Sequence, residues 1–271
     1  MKRFFSGILA LLMAAADLVF YNILPMPSVS DRGVCSEADP IYFTAHRGVN
    51  AKAPENTIPA YQLAIDMGYY AVETDVRQTQ DGVWVISHND NIGKWYNGKV
   101  NISETTYEDL LQYKVKSGHG LRKYGTLRIP TLEEYLDLFV DTESRPQIEI
   151  KDPKMDGIPA LLDMVAEKGL TKQAMIISFD LQQLAYIRAL SPDMELWYLC
   201  NEITDTVIDE ANSLGGNVWI SCNFQKNTVE TMQSSVDAGI PVSMWTVDSV
   251  KDAKRLYDAG FRYMETDRLC P

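Results

Sequence analysis

The chain has 271 residues, is 46% hydrophobic and 23% charged, and carries a net charge of −12. That length suits one large α/β domain, while the acidic balance argues against a nucleic-acid partner, which calls for clustered Lys and Arg. Cys35, Cys200, Cys222 and Cys270 show no CxxC or Cys/His spacing, which disfavours a zinc site and leaves disulfides open.

The first element differs from the rest. Lys2 and Arg3 precede an apolar run from Phe4 to Ala16, and Ala14 to Ala16 offer a small-residue cleavage site, the pattern of a signal peptide. Taken from Phe4 to Leu24, the stretch approaches the length of one membrane span, with Asp17 as a costly interruption. An amphipathic helix packed on the domain is a third reading. Export or anchoring is expected, with the catalytic domain extracytoplasmic and residues 4–24 a route to membrane association. Residues 1–40 then comprise this segment and a linker marked by Pro, Ser, Asp and Gly, and residues 41–271 the folded domain.

From Ile41 onward β-rich runs alternate with helical stretches. Candidate strands cover 41–45, 71–76, 83–88, 147–151, 174–179, 195–199, 217–221, 241–247 and 261–266. Asn56 or Thr57 is placed to cap a helix with Pro59 in its first turn and a stop at Gly68. Thr131-Leu-Glu-Glu134 reads as a capping box, and further helices are expected over 157–169, 181–190, 205–214, 228–239 and 249–260. Nine strands are one too many for a barrel. The runs 71–76 and 83–88, however, are separated only by RQTQDG, with Asp81-Gly82 as a hairpin turn signal, whereas a parallel neighbour needs a crossover of about a dozen residues. Setting 83–88 aside leaves eight strands alternating with helices, the pattern of a single (β/α)8 TIM-type barrel. A doubly wound open sheet is the alternative, although no GxGxxG follows the first strand. Residues 89–128 are too long for a plain loop and read as an insertion on the barrel mouth.

In such a barrel, chemistry sits at the carboxyl ends of the strands. Those ends carry His46 and Arg47, Glu73 and Asp75, His88 after the hairpin, Glu149 and Lys151, Trp245, and finally Glu265 and Asp267. Residues two apart on a strand share a face, so Glu73 with Asp75, and Glu149 with Lys151, converge on the mouth. Three carboxylates there repel one another unless positive charge lies among them. A divalent cation, Mg²⁺ or Ca²⁺, supplies it in one reading; ion pairs to Arg47, Lys151 and Arg77 supply it in the other. His46 and His88 flank the same carboxylates and can exchange protons near neutrality. His119, in the insertion's Ser-Gly-His-Gly, reads as an exposed loop residue. Arg47 and Lys151 suit phosphate oxygens. The set therefore fits phosphodiester cleavage better than glycoside hydrolysis, which needs only a carboxylate pair.

Together HRG…PENT, VETDV, the hairpin ending in His88, IEIK and MWTVD…AGFRYMETDR resemble the glycerophosphodiester phosphodiesterase family over residues 41–268. The resemblance implies a barrel enzyme that hydrolyses small glycerophosphodiesters to glycerol 3-phosphate and an alcohol. It implies His46 and His88 as the acid/base pair, and Glu73, Asp75 and Glu149 as metal ligands. Arg47 and Lys151 would lie beside the phosphate, Trp245 along the glycerol, and Glu55 of PENT in support. One histidine would help the glycerol 2-hydroxyl attack phosphorus while the other protonates the leaving alcohol, and water would open the cyclic phosphate. The family usually follows the second histidine with Asp; here Asn89 comes first and Asp90 next. Asp90 either orients His88 after a slight shift or leaves it without a carboxylate. Trp95, Tyr96 and Tyr124 select a bulkier leaving group or pack locally. A phospholipase D-like or sphingomyelinase D-like enzyme on lipids is one alternative, and a silent barrel that captures phosphorylated polyols is another. The oligomeric state is left open.

Overall fold

The computed structural model describes residues 26–271, so the apolar run from Phe4 to Leu24 lies outside the described residues. The strands are β1 (Tyr42–Ala45), β2 (Ala71–Gln78), β3 (Trp84–Ile86), β4 (Arg145–Ile150), β5 (Met175–Ser178), β6 (Glu195–Cys200), β7 (Val218–Asn223), β8 (Val242–Trp245) and β9 (Tyr263–Thr266). Every strand except β3 is parallel to its neighbours, and β1 closes the ring, with Thr44 opposite Ala71 of β2 and Glu265 of β9. This is the expected TIM-type barrel. β3 pairs antiparallel with β2 alone, Arg77 opposite Val85, because the short connection permits nothing else.

The helices are α1 (Ile58–Asp66), α2 (Tyr107–Leu110), α3 (Leu132–Asp137), α4 (Ile158–Glu167), α5 (Leu181–Leu190), α6 (Asp205–Leu214), α7 (Val229–Asp237) and α8 (Val250–Asp258). Thr131 and Glu134 close the capping box of α3, each side chain accepting from the other's backbone N–H. Thr57 is the N-cap of α1, but its hydroxyl donates to the Pro54 carbonyl at 2.6 Å instead of capping the helix.

Strand alternation sorts the apolar residues into two layers. Val72, Val76, Ile148, Ile176, Leu196 and Ile220 face outward and join the helices in the main core. Ala71, Met175, Ile177, Trp197 and Leu199 fill the lumen. Among the aromatic residues, Trp197 and Trp219 stack at 4.9 Å, and Tyr42 stacks on Tyr263 at 4.8 Å. Glu73, Asp75 and Glu149 share the lumen parity of Ala71, so they emerge above this apolar plug.

The insertion has a small core of its own, built from Val85, Ile92, Tyr96, Ile102, Leu110 and Ile129. Tyr96 is committed to that packing. Residues 26–40, expected to be linker, instead lie against the barrel. Val29 and Val34 are buried in the main core, and Cys270 N–H donates to the Pro27 carbonyl. Composition marked the stretch as linker, but its two valines find apolar partners in the barrel. All four cysteines are free thiols. Among the described residues no helix is long and apolar enough to cross a membrane.

Candidate active site

β2 and β4 lie side by side with Asp75 opposite Glu149, which brings the predicted carboxylates together. One oxygen from each of Glu73, Asp75 and Glu149 falls within a 4.8 Å cluster, and His46, Glu73 and Glu265 form a second such group. Glu73 and Asp75 are completely buried. Ion pairs neutralise part of this charge: Arg47 Nε lies 3.1 Å from Asp75 Oδ2, and Lys151 Nζ contacts Glu149 Oε1. Arg47 sits at φ 57, a turn that aims its backbone N–H at Glu73 Oε2, 2.8 Å away. Glu55 accepts from Arg47 Nη1 at 3.0 Å and so steadies the guanidinium. Arg77, an expected ion-pair partner, donates instead to the His88 carbonyl and fixes that backbone.

The pairing is incomplete. Glu73 Oε1 accepts no hydrogen bond, nor does Asp75 Oδ1, which lies 3.4 Å from Lys151 Nζ. Burial pushes Glu73 well above the usual carboxylate range, with Asp75 adding to the effect. Burial and then Asp75 likewise push Glu149 up to about 7. Asp75 is held below its ordinary value, because Arg47 and Lys151 outweigh the burial that opposes them. Two buried hard oxygens that lack donors, within a group of three converging carboxylates, form a donor set that fits a divalent cation.

Both histidines carry an orienting partner at Nδ1. Asp267 Oδ1 lies 2.8 Å from His46 Nδ1, and Asn50 donates to the same carboxylate and to the His46 carbonyl. Burial opposes a charge on His46, yet Asp267, Glu265 and Glu73 raise its pKa to about 10. His88 Nδ1 lies 3.1 Å from Asn89 Oδ1. Burial lowers the pKa of His88; Asp75 pulls the other way, and Arg47 and Lys151 add to the lowering. Asp90 does not take the orienting role. Its carboxylate accepts from the backbone and hydroxyl of Ser103, inside the insertion, and the neutral amide next to His88 occupies the place instead.

Two cavities share His46 and Arg47 as a common wall. The smaller, about 240 Å³, runs past His88, Glu149 and Lys151 to Phe179 and Trp245. Trp245 is anchored by its Nε1–H to the Ser221 carbonyl, and Phe179 meets it edge-on at 6.1 Å. The larger, about 440 Å³, is enclosed by Asn50, Glu55 and Asp267 on the barrel side and Trp95, Ser117 and His119 on the insertion side.

A sequence model of the glycerophosphoryl diester phosphodiesterase family matches residues 46–269. The chain belongs to this family. The glycerophosphodiester phosphodiesterase of Caldanaerobacter subterraneus subsp. tengcongensis is 30% identical over 234 residues, 82% of this chain and 92% of that protein. That of Bacillus subtilis is 25% identical over 279 residues, 94% and 92% of the two. Among solved structures, an Oleispira antarctica phosphodiesterase in complex with the product sn-glycerol-3-phosphate has a TM-score of 0.76 at 25% identity, covering 83% of this chain and 92% of that one. A glycerophosphodiester phosphodiesterase from Parabacteroides distasonis has a TM-score of 0.68 at 26% identity, with 84% and 94% covered. As a glycerophosphodiester phosphodiesterase, the chain is a phosphoric diester hydrolase, and the lipid-directed alternative is not favoured.

Several residues of this phosphodiesterase site escaped the sequence reading. Asp267 and Glu265 were visible at a strand end but had no assigned partner. Asn56, expected as a helix cap, donates to Asp75 Oδ2 at 2.8 Å while Tyr61 donates to its carbonyl oxygen. Asn50 carries no motif signal of its own. His119 is half-buried and lines the larger cavity, contrary to its reading as an exposed loop residue.

Proposed function

We propose that this phosphodiesterase hydrolyses glycerophosphodiesters to glycerol 3-phosphate and an alcohol, with a divalent cation, Mg²⁺ or Ca²⁺, and with His46 and His88 as the proton-transfer pair. One observation carries the reading: three buried carboxylates, two fixed cations and two oriented histidines meet at the barrel mouth, where His46 and Arg47 form the wall common to the two cavities. The product named in the Oleispira antarctica complex supports the glycerol 3-phosphate half. Glu73, Asp75 and Glu149 would hold the cation. When bound, it supplies positive charge to the phosphoryl oxygens and acidity to the glycerol 2-hydroxyl.

The remaining work falls to the chain's own groups. Arg47 and Lys151 hold phosphate oxygens, and Phe179 with Trp245 packs the glycerol carbons in the smaller cavity. His88 Nε2 takes the proton of the 2-hydroxyl as that oxygen attacks phosphorus. His46, on the wall shared with the larger cavity, protonates the departing alcohol as its P–O bond breaks. Water then opens the cyclic phosphate with the roles exchanged.

A panel of glycerophosphocholine, glycerophosphoethanolamine and glycerophosphoglycerol, assayed with and without EDTA, tests the reading. Glycerol 3-phosphate should appear, vanish with EDTA and return with Mg²⁺ or Ca²⁺; no release from any substrate would sink the proposal. A p-nitrophenyl leaving group needs no proton, so it should rescue His46→Ala more than His88→Ala. The opposite order would reverse the two roles. We also infer that Lys2, Arg3 and the apolar run to Leu24 carry the domain out of the cytoplasm or hold it at a membrane. Fractionation of cells making the full chain checks this, and recovery in the cytosol would refute it.

A further inference from the structure

The Ser117-Gly118-His119-Gly120 segment has no part in the chemistry above, yet it packs directly against the loop between β1 and α1. A Cβ on Gly118 would lie 2.6 Å from Pro54 Cβ, and one on Gly120 would lie 2.1 Å from the Lys52 carbonyl oxygen. Both glycines have positive φ, 131° and 62°. Only glycine lets the two backbones lie against each other here. The residues they press on sit between the Arg47 and Glu55 of the site.

Between these glycines, His119 Nδ1 lies 3.1 Å from the Asn50 carbonyl. A carbonyl can only accept, so Nδ1 carries the hydrogen and Nε2 is left as an acceptor. Burial, with help from Lys52 and Arg268, lowers the His119 pKa and keeps the ring neutral at pH 7. Asn50 is also the residue whose side chain holds His46 and Asp267. The insertion wall is thereby referenced directly to the proton-transfer group.

We infer that the Ser117–Gly120 segment forms the leaving-group subsite, in which His119 Nε2 accepts a hydroxyl hydrogen from a polyol alcohol. This rests on the glycerophosphodiesterase reading and adds the class of alcohol. The cavity it closes is nearly twice the size of the one assigned to glycerol, and Ser117, His119, Asn50 and Glu55 line it with hydrogen-bonding groups beside Trp95.

The experiment is the ratio of kcat/KM for glycerophosphoinositol to that for glycerophosphocholine. His119→Ala should lower the ratio about fivefold to tenfold, the scale of one neutral hydrogen bond, mainly through KM. His119→Gln retains an acceptor and should recover most of it. If the alanine variant does not fold, His119→Leu fills the ring's space and takes its place. An unchanged ratio, or an equal loss on both substrates, would overturn the subsite. Absence of glycerol 3-phosphate release by the wild-type enzyme from either substrate would instead overturn the parent reading, and this inference with it.

Discussion

Asn56 shows how one side chain serves two ends. Its amide donates to Asp75 and its carbonyl receives the Tyr61 hydroxyl, all inside the protein. Replacing it with Ala would leave a buried carboxylate oxygen and a buried hydroxyl short of a partner, so Asn56→Ala should lose about 1–3 kcal/mol in urea unfolding. A loss below experimental error would show that the network relaxes freely. Glu149 sits at the edge of the carboxylate cluster, in contact with Lys151. Glu149→Gln should raise the divalent-cation concentration for half-maximal activity at least about a hundredfold, the upper end of the scale seen when only a supporting partner is removed. An unchanged cation requirement in a metal titration would refute the ligand role. These side chains differ in legibility. Glu73, Asp75 and Glu149 announced themselves as charges inside apolar runs, which need partners. Asn50 and Asn56 are neutral and sit in a loop, where composition carries no such alarm.

At the scale of elements, local signals with a strong physical rule behind them held. The capping box at Thr131 is one. Each of its two hydrogen bonds satisfies a helix-end donor that would otherwise go unpaired. Thr131→Ala should therefore destabilise the protein by about 1 kcal/mol, read as a shift in the denaturant midpoint with unchanged slope. The β2–β3 hairpin is another, since the five intervening residues cannot make a parallel crossover. Signals resting on composition alone were weaker. Residues 26–40 look like linker by their Pro and Ser content, but Val29 and Val34 are buried in the barrel core. Asp90 was placed by nearness in sequence to His88. The turn that follows β3 instead points it at Ser103, and Asn89 stands where the carboxylate was expected.

For the molecule as a whole, the segment before β1 is clamped to the barrel by a charge contact. Asp39 accepts from Arg262 and from the Tyr257 hydroxyl, and these bonds, Arg262 first, lower its pKa from 3.8 to about 2. The folded pKa lies below the unfolded one, so this stabilisation is fully present above pH 4 and is lost as pH falls towards 2. Thermal melts should show Asp39→Asn below wild type at pH 6, with the gap closing between pH 4 and pH 2. A gap independent of pH would assign the effect to packing. The sequence by itself determined the barrel, its order of strands and the residues at its mouth, because strand alternation and crossover length are local rules that leave few topologies. Only the tertiary structure decided which groups orient the histidines, that the insertion builds the second cavity, and that His119 faces it. Those contacts join residues far apart in sequence, such as Asn50 with Asp267 and with His119, and no periodicity in the chain encodes a meeting that closure of the ring creates.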